Sequence, residues 1–263
     1  VMGNIWLSLI LSTLLALLAL WRRAITYPGT ALAWCFSVVI CYCGGWVDFC
    51  ALAATLVFTL VAGKISGKTR EKAEIKLHAK HGRRDSVQII CNVGMSALMV
   101  LLYAVTKHDA FLCASGAALA ASLADSMASE LGILSKRGPR DACTFKKVQP
   151  GMSGGVSAFG FAMSGVGAAI IGAVCLGQGR GWLFSLVIFV SGFAAAYIDS
   201  LLGSAVQAKY RCGVCGALTE KKTHCGVTGV IEKGWRFIDN DAVNFLNNLS
   251  GAVIALVLWW LIG

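Results

Sequence analysis

The sequence predicts an all-α fold, a polytopic membrane bundle of about eight transmembrane helices built as a single transmembrane domain over residues 1–263. Three observations carry that prediction. The first is composition. Of 263 residues, 57% are hydrophobic and 14% charged, and the mean hydropathy is +0.72; a soluble domain is about 45–50% apolar and about 25% charged. So few charges cannot cover an apolar globule in water, which argues against a soluble enzyme, a disordered chain and a secreted disulfide scaffold. The second is the length of the apolar runs, such as Asn4–Leu20 and Ala242–Ile262. They are continuous and suit helices across a bilayer, not the roughly ten-residue alternating strands of a barrel. The third is the placement of the basic residues.

Taken in order, the spans are about 3–21, 30–45, 47–63, 87–106, 110–128, 152–177, 181–204 and 240–262. Arg22 and Arg23 follow the first run instead of preceding it, so it reads as a span and not as a cleaved signal peptide. The second and third spans are divided only by Gly44 and Gly45. After the third, Gly63-Lys-Ile-Ser-Gly-Lys-Thr69 has the look of a P-loop. Only three residues separate its glycines where a P-loop needs four, and it follows a membrane helix, not a strand. It is assigned to a basic juxtamembrane segment running into an amphipathic connector through His81. In the sixth span, Ser164, Ala168 and Gly172, and likewise Gly165, Ala169, Ala173 and Gly177, recur every fourth residue, a spacing that lets helix backbones approach closely.

All but Lys107 and Arg180 of the 23 Lys and Arg residues fall after the first, third, fifth and seventh spans. They occupy Arg22–Arg23 and loops at about 64–86, 129–150 and 205–239. The positive-inside rule places these connections in the cytoplasm and both termini outside. The same asymmetry accounts for the net charge of +10 without a nucleic-acid partner. Most of the eleven cysteines, including Cys35, Cys41, Cys43, Cys91, Cys113 and Cys175, lie inside apolar runs, where Cys behaves as a small hydrophobe.

Ionisable side chains within spans are costly and mark functional sites. Asp125 lies near the cytoplasmic end of span five, and Glu130, Ser126 and Ser129 extend a polar cluster from it. Asp199 and Ser200 hold the equivalent place in span seven. Asn240, Asp241, Asn244, Asn247 and Asn248 open span eight at the same side, with Asp241, Asn244 and Asn248 on one helical face. Asn92 follows Arg83, Arg84, Asp85 and Gln88 at the start of span four. Each alone fits a cap or an interfacial residue, and Asp239 reads as an ordinary N-cap. Carboxylates from three helices at one membrane face suit Mg²⁺, which takes one or two carboxylates together with phosphate oxygens; Asp125, Glu130, Asp199 and Asp241 are the candidate ligands.

Lys146 and Lys147 precede Pro150-Gly151, and Ser153, Gly154, Gly155 and Ser157 then open span six. Free amides at a helix N-terminus, with glycine allowing close approach and lysine adding charge, make an anion site. A Pro-Gly turn with solvated lysines is the alternative. Cys212-Gly-Val-Cys215 with His224-Cys225 offers four ligands of the types that hold structural Zn²⁺, although adjacent His224 and Cys225 would both have to bind; a reduced thiol cluster is the alternative.

Together these blocks resemble the integral membrane family that includes transmembrane protein 19 and the phytyl-phosphate kinases of tocopherol synthesis. The matching stretches are Gly82–Gln88 through Asn92, Ala124–Gly132, Val148–Ser157, Asp199–Gly203 and Asn240–Asn244. The Asp125 block and the Lys-then-Gly-Ser block are also similar to the phytol and dolichol kinases. The resemblance implies transfer of a phosphoryl group from a nucleoside triphosphate, CTP favoured, to an isoprenoid monophosphate such as phytyl or geranylgeranyl phosphate. Asp125, Lys146, Lys147 and Asp199 would be catalytic. Arg83, Arg84, Lys147, Gly151, Ser153, Gly154, Gly155, Asn240 and Asn244 would hold phosphate or nucleotide. The Cys212–Cys225 insert looks like a feature of bacterial members, which implies a bacterial cytoplasmic membrane with the site facing the cytoplasm. A cytidylyltransferase on a lipid phosphate and an isoprenoid transporter are the competing expectations; the one-sided polar groups and the lack of a repeat weigh against transport.

Overall fold

Apolar runs long enough to cross a bilayer fold as helices because no other open backbone satisfies its own polar groups there. A computed structural model of the chain describes residues 4–77 and 83–262, with the side chains at 68 and 70–77 left aside; His81, Gly82 and the rest of the expected amphipathic connector lie outside the described residues. The helices are α1 (Ile5–Trp21), α2 (Tyr27–Val39), α3 (Trp46–Leu77), α4 (Ser86–Ile89), α5 (Met95–Thr106), α6 (Asp109–Gly132), α7 (Ala158–Cys175), α8 (Trp182–Ala205) and α9 (Asn240–Ile262). A π-helical turn, Ile40–Gly44, extends α2, and a second, Ile90–Gly94, joins α4 to α5 into one span. Seven of the described helical segments are long and apolar enough to span a membrane. The apolar α1 has 17 residues, at the lower limit of about 17–25 for a span. The chain is a polytopic helical membrane protein.

Three sequence boundaries are corrected. Helix α3 does not stop near residue 63 but runs to Leu77, because Lys, Glu and Ala continue a helix after the hydropathy falls. Helix α6 runs to Gly132, so Ser129 and Glu130 are helical and the connection expected from residue 129 begins at 133. Helix α7 begins at Ala158, not at 152, with the Ser157 hydroxyl capping the Gly160 N–H at 3.0 Å. The stretch before it is a loop containing the short strand β2 (Gly155–Val156), paired with β1 (Arg140–Asp141). The connection from α8 to α9 also carries small strands: β3 (Lys209–Arg211), β4 (Leu218–Thr219), β5 (Thr223–His224), β6 (Val227–Thr228) and β7 (Val230–Lys233). Gly45, at φ +99°, makes the break between α2 and α3 that the glycine pair announces.

Helix α6 is the centre of the bundle and is buried on nearly every side. Its Ala, Ser and Gly residues keep it thin, and α7, α8 and α9 each meet it through a glycine. A Cβ on Gly167 of α7 would come within 2.9 Å of the Ala124 Cα, one on Gly192 of α8 would overlap Ala120, and one on Gly251 of α9 would come within 2.9 Å of the Ala117 carbonyl. The small-residue stripe of α7 packs through Ser164, Ala168 and Gly172, all buried; Ala169 and Ala173 of the alternative register are exposed.

The basic connections meet at one end. The Arg84 N–H donates to Ala24, and the Arg84 carbonyl accepts from Thr26. Lys209 Nζ reaches the Ser153 carbonyl at 2.9 Å. At the opposite end Arg180 pairs with Asp109, Gln178 donates to Asp48 at 2.7 Å, and His108 stacks on Trp260 near the end of α9.

Candidate functional site

At the basic end, α6, α8 and α9 contribute a buried polar layer. Asp125, Asp199, Asn247 and Asn248 each lie about two turns, ~10 Å, inside the end of their helix. Asp125 is near enough to Asp199 to interact with it electrostatically, as is Glu220. Asn247 Nδ2 donates to the Ala121 carbonyl of α6 at 3.3 Å, and Asn248 Nδ2 donates to the Asn244 carbonyl at 2.9 Å. Asp199 Oδ2, Asn247 Oδ1 and Asn248 Oδ1 are buried acceptors with no hydrogen-bond partner. A buried polar atom left in that state costs free energy and calls for an explanation. The three oxygens lie at similar depth on α8 and α9 and are of the type that a hard cation takes.

A cap covers this layer. The Ser153 N–H donates to Glu220 Oε1 at 2.7 Å, and Gln207 Nε2 bridges Ser153 Oγ at 3.1 Å and Glu220 Oε2 at 3.2 Å. Burial pulls the Lys209 ammonium below the usual lysine range, against the opposing pull of Glu220. Gly154, at φ +78°, lies so close to α8 that a Cβ would overlap the Ser204 backbone nitrogen. Asp141 anchors the other side. Its Oδ1 accepts from Cys143 N, Thr144 N, Thr144 Oγ1 and Ser204 Oγ at 2.7–3.1 Å. Burial pushes the Asp141 carboxyl upward, but the Ser204 hydroxyl, the Thr144 amide and hydroxyl, and Lys233 outweigh it and bring it down to about 2.

This arrangement corrects the expected anion site. Ser153, Gly154 and Gly155 belong to a loop, not to the first turn of α7, and the Ser153 amide already serves the Glu220 carboxylate. The physical reason is competition: a carboxylate of the same chain takes the place an outside anion would need. Lys146 and Lys147 stand exposed on the same loop, as does Gly151 at φ +89°. Glu220, Gln207, Lys209, Ser204 and Asp141 are the residues that sequence reasoning missed.

The expected carboxylate set divides in two. Glu130, five residues after Asp125 and so ~140° around α6, accepts from Ser66 Oγ of α3 at 3.2 Å. It lines a cleft of about 290 Å³ between α1, α2, α3, α4 and α6. Leu15, Ala33, Leu52 and Leu56 form its apolar walls, while Arg84, Asn92 and Ser122 add polar groups. The π turn places Asn92 so that its Oδ1 accepts from Ser122 at 3.2 Å. Arg84 is half-buried and Arg83 exposed. Asp241, with Asp239 and Asp85, lies within electrostatic range of Cys91; Asp239 caps α9 through Ala242 N, as its position predicts. Asn240 is exposed and Asn244 half-buried. Among the described residues, the group of three or more His, Cys, Asp and Glu side chains gathered closely enough to share a metal is Cys212, Cys215, His224 and Cys225. Asp125, Glu130, Asp199 and Asp241 do not gather into such a group: Asp125 and Asp199 lie near each other, whereas Glu130 is turned toward α3 and Asp241 lies within electrostatic range of Cys91.

An α-helical bundle with a polar layer at one end and an apolar cleft beside it defines an integral membrane protein with a site at the membrane edge. The chain belongs to the integral membrane protein family DUF92, whose family model matches residues 10–252, and this is where the sequence resemblance fell. It is 27% identical to Protein PGR of Arabidopsis thaliana, over 92% of this chain and 91% of that protein. An uncharacterized membrane protein of Synechocystis is 28% identical over 95% and 90% of the two chains. An uncharacterized membrane protein of Methanocaldococcus jannaschii is 24% identical over 78% and 84%. No solved structure matches the chain.

Proposed function

We propose that this protein is a membrane-bound phosphotransferase that converts an isoprenoid monophosphate, such as phytyl or geranylgeranyl phosphate, to its diphosphate, with CTP as the favoured donor. The observation that carries the reading is the apolar cleft with Arg84 on its wall at the basic end. A cleft of that character suits an isoprenoid tail, and its arginine suits a phosphate headgroup. The buried acceptors of the neighbouring layer supply the second requirement, a place for a cation.

In this mechanism an acceptor phosphate oxygen attacks the γ-phosphorus of the nucleotide. The bond from that phosphorus to the β–γ bridging oxygen breaks, giving nucleoside diphosphate and prenyl diphosphate. The acceptor is already ionised, so no general base is required; positioning and charge neutralisation supply most of the catalysis. Arg84, with Arg83, orients the acceptor phosphate. Lys146 and Lys147, on the exposed loop, hold donor phosphates, and Asn240, Asn244 and Asp241 line the approach along α9. Asp125 and Asp199, with the Asn247 and Asn248 oxygens, would hold Mg²⁺, which supplies neutralisation of the phosphate charge when bound. The basic end faces the cytoplasm by the positive-inside rule, with both termini outside and the protein in a bacterial cytoplasmic membrane.

The test is purified protein in detergent with Mg²⁺, phytyl or geranylgeranyl monophosphate, and CTP or ATP in parallel, with lipid and nucleotide products read by mass spectrometry. Prenyl diphosphate with CDP is the expected result. A CDP-lipid with pyrophosphate would make the protein a cytidylyltransferase, and no turnover with any chain length would remove the phosphotransferase reading.

A further inference from the structure

We infer that Cys212, Cys215, His224 and Cys225 form a structural zinc site that folds the β-stranded insert and holds Glu220 against the membrane-embedded layer. The four ligand atoms all lie within 4.8 Å of one another. His224 Nδ1 is 3.4 Å from both Cys215 Sγ and Cys225 Sγ. Three sulfurs and one imidazole nitrogen are the donors of a closed tetrahedral zinc site and do not suit magnesium or calcium.

Local backbone explains how adjacent His224 and Cys225 both reach the centre. Neighbours on a regular strand point to opposite faces. Here β5 ends at His224 and pairs with β6 across Cys225–Gly226, both at positive φ, +51° and +75°. That is the signature of a tight hairpin turn, which prefers Asn, Asp or Gly at its first central position. The left-handed Cys225 reverses its side chain toward His224. Cysteine there carries a conformational cost, and ligation is a reason to bear it. On the facing side, the Cys212 carbonyl accepts from Gly216 N at 2.9 Å, closing a turn that brings Cys215 back over Cys212.

Besides the Arg211–Glu232 ion pair and short backbone ladders, the described residues of the insert have little apolar material to hold them together. Its strands have two to four residues, and Val214, Val230 and Ile231 are exposed. A unit this small, whose buried side chains are few and include the ligands Cys212 and His224, gains from a staple. Glu220 lies between the two ligand pairs, so a metal that joins Cys212–Cys215 to His224–Cys225 closes the segment carrying it. The zinc assignment stands without the phosphotransferase reading; only the importance of Glu220 for turnover rests on that reading.

The experiment uses full-length protein purified in detergent without chelator. Elemental analysis is expected to give about one zinc per chain, and zinc-edge X-ray absorption a shell of sulfur at ~2.3 Å with nitrogen at ~2.0–2.1 Å. Cys212→Ser with Cys215→Ser should lose the metal. Should those variants not accumulate, the absorption spectrum of the unaltered protein decides alone. Zinc-free protein, a shell of oxygen and nitrogen only, or a Cys212–Cys215 disulfide overturns the site. Chelation followed by Mg²⁺ repletion should speed tryptic cutting at Lys221–Lys222 roughly tenfold or more, since cutting follows the opened population. Unchanged cutting overturns the claim that zinc holds the Glu220 segment, whatever the protein catalyses.

Discussion

Ser153 and Glu220 stand 67 residues apart in sequence, yet the Ser153 N–H donates to the Glu220 carboxylate at 2.7 Å. That bond joins the loop before α7 to the insert after α8, and it does so above Asp199, which Glu220 also reaches electrostatically.

Glu220→Ala is therefore expected to lower turnover at least about tenfold while the bundle still extracts folded. The change strands the Ser153 amide, a cost of about 1–3 kcal/mol for a buried group left unpaired, and removes one of the two partners of Gln207 Nε2. Glu220→Gln keeps the shape and one acceptor but removes the charge beside Asp199. Turnover rescued by Gln would make Glu220 a positioning residue; turnover lost in both variants would assign the charge itself a part. Full activity in the alanine variant would exclude the insert from the reaction.

Gly154→Ala tests the seat of the same loop. At φ +78° an L-residue is strained by about 1–2 kcal/mol, and the new Cβ would meet the Ser204 backbone, which cannot move without α8. The loop is expected to lift from α8, seen as faster proteolysis between residues 136 and 150 and reduced turnover. Gly138→Ala, where nothing lies within 4 Å of the new atom, serves as the control and should stay within about 0.5 kcal/mol of the parent. Equal behaviour of the two variants would show that the close approach is unimportant.

The spans were legible because apolar length and charge placement are properties of single segments. Asp125 and Asp199 were legible for the same reason, since a carboxylate inside an apolar run stands out without any partner. Residues 152–157 were not. Pro150-Gly151 followed by Ser153, Gly154 and Gly155 can open a helix or form a hairpin, and contacts with Glu220 and Ser204 decide between them. Glu220 gave one weak signal, an acidic residue next to Lys221 and Lys222 in a basic insert, but its role depends on a tertiary pairing. Glu130 was misplaced because its neighbourhood was read from sequence distance to Asp125, whereas five residues on a helix turn the side chain toward α3.

Asp141 gives the cap a dependence on pH with a defined sign. Its carboxyl titrates at about 2 in the folded protein, against an ordinary value of 3.8. A lowered folded-state value means that the contribution is fully present above the ordinary value and is lost as pH falls from about 4 toward about 2. Hydrogen exchange of the Cys143 and Thr144 amides, which Asp141 holds, should accelerate beyond its intrinsic pH trend across that window. Asp141→Asn should remove the excess acceleration and leave both amides less protected at neutral pH. An identical profile in the two proteins would show that Asp141 does not hold the cap.

The cleft predicts a separation of kinetic effects. Leu56→Trp narrows the apolar wall and Arg84→Gln removes its cation, so both should raise KM for the isoprenoid phosphate. The KM for the nucleotide should change little, because the donor is assigned to Lys146, Lys147 and the start of α9, and only its γ-phosphate meets the acceptor. A tenfold rise corresponds to about 1.4 kcal/mol. If either change raised the nucleotide KM alone, the two substrates would have to exchange places.

Asp125 and Asp199 decide whether the polar layer is catalytic. Each is replaced by Asn, which preserves size and one acceptor oxygen while removing the charge that would hold a cation. For a carboxylate serving only as packing, the neutral amide should support normal turnover. For a carboxylate holding Mg²⁺, turnover should fall by about 100-fold or more, equivalent to ~2.7 kcal/mol of transition-state stabilisation. The Mg²⁺ concentration for half-maximal rate should rise with it. Melting in detergent shows whether a loss of turnover comes from loss of the fold instead of loss of the cation. Normal turnover in both variants would leave Asp199 Oδ2, Asn247 Oδ1 and Asn248 Oδ1 without a catalytic reason for their burial and would remove this layer from the site.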